Sequence, residues 1–126
     1  MGLLDGLLGN ASEVKTADAQ QQYQQLLAPG EKIDKAYKVI RDMFLFTNKR
    51  LILVDIQGIT GKKIEYMSIP YENITHFSIE TAGHFDLDAE LKIWIAGMGP
   101  APLEKTFNSQ LNIYELQRLL ASYILK

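Results

Sequence analysis

Cysteine is missing altogether from the 126 residues. That excludes disulfides, thiolate zinc sites and cysteine nucleophiles, and it fits a reducing compartment. Also missing is any apolar run near the roughly 18 residues a bilayer-spanning helix needs. The N-terminus lacks the basic start and long apolar stretch of a secretion signal. Met1-Gly2 opens like a myristoylation site, but Gly6 stands where that motif needs Ser or Thr. A cytoplasmic protein is expected. Strong charge of one sign is absent too, the formal net charge being −2. Basic residues are not interleaved with aromatics along one face, so nucleic acid is not expected as a partner.

Present instead is an ordinary globular composition, 47% hydrophobic and 22% charged. A single chain of this length buries roughly two-thirds of its unfolded surface and holds a core without staples. The charge is uneven. Glu31 to Lys63 carries eight basic and four acidic residues (+4), and the remainder to Lys126 carries four basic and eight acidic (−4). Such polarity either steers an anionic partner or keeps strand edges solvated with lysine.

Residues 1–30 read as a helical extension. Leu3, Leu4, Leu7 and Leu8 share one helical face, weakened by Gly2, Gly6 and Gly9. This cluster either packs on protein, its own domain or a neighbouring subunit, or forms a membrane foot that lacks the usual Lys, Arg and Trp. Ser12 to Leu27 predicts a second helix, with Ser12 as N-cap and Pro29-Gly30 as the stop.

From Glu31 the period changes to two. Ile33, Lys35, Tyr37 and Val39 alternate with Lys32, Asp34, Ala36 and Lys38, as in a half-buried strand. Three short apolar strands follow between Met43 and Tyr71, separated by turns at Thr47-Asn48-Lys49 and Gln57 to Gly61, the pattern of an antiparallel meander. Leu51-Ile52-Leu53-Val54 is apolar on both faces, so each face needs a cover, the second supplied by the N-terminal helix or by another subunit. Further strands are predicted at Ile74 to Thr81, Glu90 to Ala96 and Leu103 to Phe107. The C-terminus is the clearest helix: Asn112 and Glu115 form a capping-box variant flanked by Leu111 and Leu116. Ile113, Leu116, Leu119, Leu120, Tyr123 and Ile124 make its apolar stripe.

Seven antiparallel strands closed by one amphipathic helix is the order of the pleckstrin-homology superfold. The phrases FTNKRLILVDIQGITGKK (46–63), SIPYENITHFSIETAG (68–83) and FDLDAELKIWI (85–95) closely resemble the bacterial pleckstrin-homology-like domain family over residues 31–126. The resemblance implies a mainly β fold (α+β by content): a partly open barrel of two near-orthogonal sheets, capped by the C-terminal helix. It further implies ring-shaped homo-oligomers with no established enzymatic activity or ligand, and no cofactor is expected. Fold likeness alone does not transfer the lipid binding of eukaryotic relatives.

A phosphoinositide site would need clustered cations where the first two strands of that fold meet. Lys38 and Arg41 lie there, but Asp42 follows and Met43 stands where a further basic residue is needed. Lys49, Arg50, Lys62 and Lys63, in other turns, complete the candidate anion contacts. Gly58 to Lys63 has only two residues between its glycines and leads into a strand, so it is a hairpin turn, not a phosphate-binding loop. His76, His84, Asp86 and Asp88 match no metal-ligand spacing, and no nucleophile-elbow motif ties Ser, His and Asp together. No catalytic residue, metal site or enzyme activity is expected. Trp94 alternates away from Leu91, Ile93 and Ile95 and lies beside Lys92. A large outward aromatic marks a protein contact or a cover for the domain's own surface.

The leading expectation is thus a non-catalytic binding or scaffolding module that self-assembles and contacts an unidentified protein. Its candidate contacts are Trp94, Lys92, Ile52, Val54, Leu3, Leu4, Leu7 and Leu8. The alternatives are a membrane-surface adaptor using the Lys-rich turns and the leucine cluster, and a small-ligand carrier or enzyme using the two histidines and the two aspartates.

Overall fold

The computed structural model describes residues 13–39, 42–80, 88–108 and 113–125. The chain runs β1 (Glu13–Val14), α1 (Thr16–Gln22), a 3-10 turn (Gln24–Leu26), β2 (Ile33–Val39), β3 (Asp42–Thr47), β4 (Arg50–Gln57) and β5 (Lys63–Pro70). A second 3-10 turn (Tyr71–Asn73) leads to β6 (Ile74–Glu80), β7 (Asp88–Ile95), β8 (Leu103–Asn108) and α2 (Ile113–Ile124). Two antiparallel sheets result, ordered β1-β2-β3-β4-β5 and β6-β7-β8. The seven expected strands and the terminal helix are present, with the two-residue β1 added, and the sheets do not close on each other.

β3 and β4 are buried on both faces, and their alternation sorts side chains into two cores. Phe44, Phe46, Leu51 and Leu53 face inward, where they meet Leu91, Ile93 and Phe107 of the second sheet and Ile113, Leu116 and Leu120 of α2. Met43, Leu45, Ile52 and Val54 face the other way, onto Ala19 and Tyr23 of the N-terminal segment. Each such fully buried side chain contributes about 1.5–3 kcal/mol. Intramolecular packing therefore supplies the second cover of β4.

Three local expectations are corrected. The helix predicted over Ser12 to Leu27 is shorter. Glu13-Val14 extend instead and pair with Tyr37 and Ala36 of β2, so α1 begins at Thr16 behind Lys15, which makes no side-chain cap. Ser12 itself lies outside the described residues. The helix ends at Tyr23, whose side chain drops into the outer core. In β2, the register slips between Ile33 and Lys35. A bulge of this kind moves later residues to the opposite face. Ile33 and Ala36 consequently enter the outer core and Tyr37 the inner one, although alternation alone places Ile33 and Tyr37 together.

α2 is fixed by rings and hydroxyls as well as by its stripe. Tyr123 stacks on Tyr71 at 4.6 Å and on Phe46 at 6.1 Å. The Tyr123 hydroxyl donates to the Asp34 carboxylate, and the Tyr71 hydroxyl donates to the Thr47 carbonyl at 2.6 Å. Burial raises both phenol pKa values, so they stay protonated donors. The capping residues Leu111 and Asn112 lie outside the described residues.

Candidate functional site

The outer face of the three-stranded sheet follows from register. His76 stands opposite Trp94, Ser78 opposite Lys92 and Glu80 opposite Glu90. On the other side of β7, Lys92 faces Glu104 and Glu90 faces Thr106. Phe77, Ile79, Leu91 and Ile93 take the alternate positions and pack into the inner core. A register shift between Ile74 and His76 brings the imidazole over the indole, the rings stacking at 4.4 Å and 14°. Thr75 Oγ1 lies 2.9 Å from His76 Nδ1 and donates to the Trp94 carbonyl at 3.2 Å, which steadies this end of the face. Lys92 bridges Glu104 at 3.7 Å and Glu90 at 3.9 Å, and with Glu80 beside them three carboxylates face one ammonium. The face thus joins a half-buried Trp94, stacked under an exposed His76, at one end to a predominantly acidic patch at the other.

The candidate cations do not gather. Arg50 is engaged elsewhere: its Nε and Nη2 donate to the Glu31 carboxylate at 2.8 and 3.0 Å, its Nη2 to the Leu26 carbonyl at 2.6 Å, and its Nη1 to Ser68 at 2.6 Å. The buried Glu31 also accepts from Thr47 Oγ1 at 2.6 Å and from the Ala28 backbone N–H at 2.9 Å. Hydrogen bonding from Arg50, opposed by desolvation, holds its carboxyl at about 2. Arg50 is therefore a structural clasp between the N-terminal segment and β4, which corrects its reading as an anion contact. Lys49 is exposed beside it, whereas Lys62 and Lys63 lie exposed beyond the other end of β4, roughly 23 Å of strand away. Lys38 is exposed at the end of β2 nearer that second group, and Arg41 lies outside the described residues.

Nor do all the contact candidates share a surface. Ile52 and Val54 are each 1% exposed beneath the N-terminal segment and have no surface to offer while it is docked. This corrects their assignment as contact residues. Leu3, Leu4, Leu7 and Leu8 lie outside the described residues, as do His84 and Asp86. Asp88 opens β7, paired with Asn108. Among the described residues, no three His, Cys, Asp or Glu side chains group as a metal site, and no helix is long and apolar enough to cross a membrane.

Sequence reading missed two sites. One is the Glu31–Thr47–Arg50 clasp, whose members are 16 and 19 positions apart from Glu31. The other is a cleft of about 80 Å³ between the sheets, floored by Phe44, Leu53, Met67 and Leu103. The Lys105–Asp42 ion pair, 3.0 Å long, lies at its edge with Asp55 and Glu65, which stand directly opposite each other on β4 and β5. The pairing of Asp42 with Lys105 has no signature in local spacing. The carboxylate pair would have been found by extending the β4–β5 register from its turn.

Comparison with known proteins places this geometry. A family model described as Bacterial PH domain matches residues 2–124. The chain is 55% identical over 122 residues to the uncharacterised protein YjqA of Bacillus subtilis strain 168, covering 97% of this chain and 98% of that one. It is 32% identical over 117 residues to YozO, another uncharacterised protein of that strain, with coverages of 93% and 98%. Among solved structures, the pleckstrin homology domain from Shewanella amazonensis SB2B superposes with a TM-score of 0.82 at 49% identity, covering 99% of this chain and all of that one. A DUF1696 family protein with a pleckstrin-homology domain, from Shewanella loihica PV-4, gives a TM-score of 0.81 at 48% identity, with coverages of 90% and 97%.

Proposed function

This chain belongs to the bacterial PH domain family, and from that premise we propose that it is a non-catalytic cytoplasmic scaffold which assembles with copies of itself and presents the Trp94 face to a protein partner. Domains of this fold are commonly binding modules. The observation that carries the reading is the His76–Trp94 stack on the outer face of the second sheet. Across the molecule, the outer face of the first sheet is roofed by the N-terminal segment. A tryptophan beside a charged rim is the composition expected at the centre of a protein contact. Copies arranged around an axis would multiply a weak contact of this kind through avidity.

Sedimentation velocity at tens of micromolar, joined to capture of partners from the source cell with and without Trp94→Ala, tests both halves. Assembly with a partner lost on substitution is expected. A strictly monomeric profile with captured proteins unchanged by the substitution would overturn the reading.

One observation favours a second reading, a membrane-surface adaptor that holds anionic lipid. Ile59, at the tip of the β4–β5 hairpin, is fully exposed beside Lys62 and Lys63. Apolar tips flanked by lysine suit an anionic bilayer surface. This reading expects salt-sensitive binding to phosphatidylserine vesicles that falls with Ile59→Ser and with removal of residues 1–11, and no binding at low salt would end it.

A further inference from the structure

The cleft between the sheets has a direction. Phe44 and Leu53 on its floor are 0% and 4% exposed, whereas Glu65 on its rim is exposed. Met67 of β5 and Leu103 of β8 complete the apolar wall. Its volume, about 80 Å³, is roughly half of the 150 Å³ or so that accepts a benzene ring. Pockets for cofactors and drug-sized ligands begin at roughly 300 Å³. A short aliphatic stem is what fits.

The charges on the rim are not balanced. Asp42 is satisfied on both oxygens, Oδ1 accepting from the Ile56 N–H and Oδ2 from Lys105 Nζ, each at 3.0 Å. Asp55 and Glu65 remain. They stand directly opposite each other on β4 and β5, where like charges repel. One Asp55 oxygen accepts from the Gln57 amide at 3.2 Å. Among the described residues Glu65 has no hydrogen-bond partner, and neither carboxylate is paired with a cation. Lys63, the next residue along this face of β5, is exposed and likewise unpaired among the described residues. No three acidic or imidazole groups among those residues converge as a metal site, so the missing counter-charge is not a metal ion.

We propose that this cleft binds a small primary aliphatic amine, its stem against Phe44, Leu53, Met67 and Leu103 and its ammonium between Asp55 and Glu65. The ammonium has three donors, and the two carboxylates have open acceptor positions to take them. The order of polarity, apolar inside and charged at the mouth, selects a free amine entering stem first. A lysine side chain of another protein would arrive tip first and set its charge on the apolar floor, which is costly. An anion is disfavoured because Lys105 already holds Asp42 and the two remaining carboxylates repel it. The cleft is separate from the Trp94 face. Leu103 and Lys105 stand opposite Ile93 and Leu91 on the inner side of the second sheet, whereas Glu104 stands opposite Lys92 on the outer side.

Titration of the full-length protein with n-butylammonium, followed by backbone amide chemical shifts, tests the proposal. Saturable shifts are expected at Leu53, Asp55, Glu65 and Met67. Methylammonium lacks the stem, butyrate carries the opposite charge, and Nα-acetyl-lysine amide carries its ammonium at the far tip. Each is expected to bind at least about tenfold more weakly. Glu65→Gln and Asp55→Asn keep the shape and remove a charge, and each should weaken n-butylammonium binding about tenfold. Both should also leave the free protein folded by circular dichroism, since they relieve a repulsion. The proposal is overturned if n-butylammonium gives no saturable shifts at tens of millimolar, or if the folded variants bind it unchanged. Equal binding of methylammonium would reduce the site to surface charge, and equal binding of butyrate or of the lysine amide would overturn the charge or the direction assigned to the occupant.

Discussion

The outer faces of the two sheets make an instructive pair. Both carry large side chains pointing away from the space between the sheets. On the first sheet these are Met43, Leu45, Ile52 and Val54, roofed by α1 and the turn after it. On the second they are His76 and Trp94, whose rings stack on each other. The first roof is held by one clasp: Arg50 grips the Leu26 carbonyl and Glu31, while Gln20 Oε1 accepts from the Ile33 N–H at 2.8 Å. An apolar outward face is thus an intramolecular core where preceding chain is available to cover it. The second face is the one proposed above as the contact with a protein partner.

Four substitutions probe this contrast. Phe44→Ala removes a ring packed edge-on against Phe107 at 5.5 Å in the shared inner core. It is expected to cost about 4 kcal/mol in denaturant unfolding, loosening both sheets at once. Glu31→Gln leaves the Arg50 guanidinium without its counter-charge and should cost about 3 kcal/mol. Because the folded carboxyl titrates at about 2 instead of 4.5, its contribution is whole above pH 4.5 and fades as pH falls toward 2. Acid titration of stability should therefore flatten in the variant. Tyr23→Ala thins the roof alone and is expected to cost about 2 kcal/mol. Hydrogen exchange should then show residues 16–27 opening ahead of β6 to β8. Equal acceleration across both sheets would show that the roof and the inner core unfold as one unit. Trp94→Ala should cost below about 1 kcal/mol, yet abolish partner capture. A large loss of stability would reassign the indole to holding its own sheet.

Much of this was legible in the residues. Apolar runs bounded by turn residues located β3 to β5, and period-two alternation located β6 and β7 and sent Trp94 outward, because successive strand side chains must oppose one another. The α2 stripe was equally plain: Ile113, Leu116 and Leu120 are buried where the 3.6 period puts them. What escaped depended on contacts far apart in sequence. The slip after Ile33 has no composition signal, being neither glycine nor proline, and it alone separates Ile33 from Tyr37. The shortening of α1 depended on Val14 finding the backbone of Ala36. Arg50 looked like any turn cation until the fold brought Glu31 to it. The His76 partner of Trp94 needed a register that itself contains a shift.

Trp94 is the only tryptophan in the chain, and its ring plane lies against an imidazole. Indole emission responds to whatever touches the ring, so the native fluorescence of this protein is a built-in optical gauge of that one spot. The emission colour should shift when another molecule displaces water from the indole, with no dye attached.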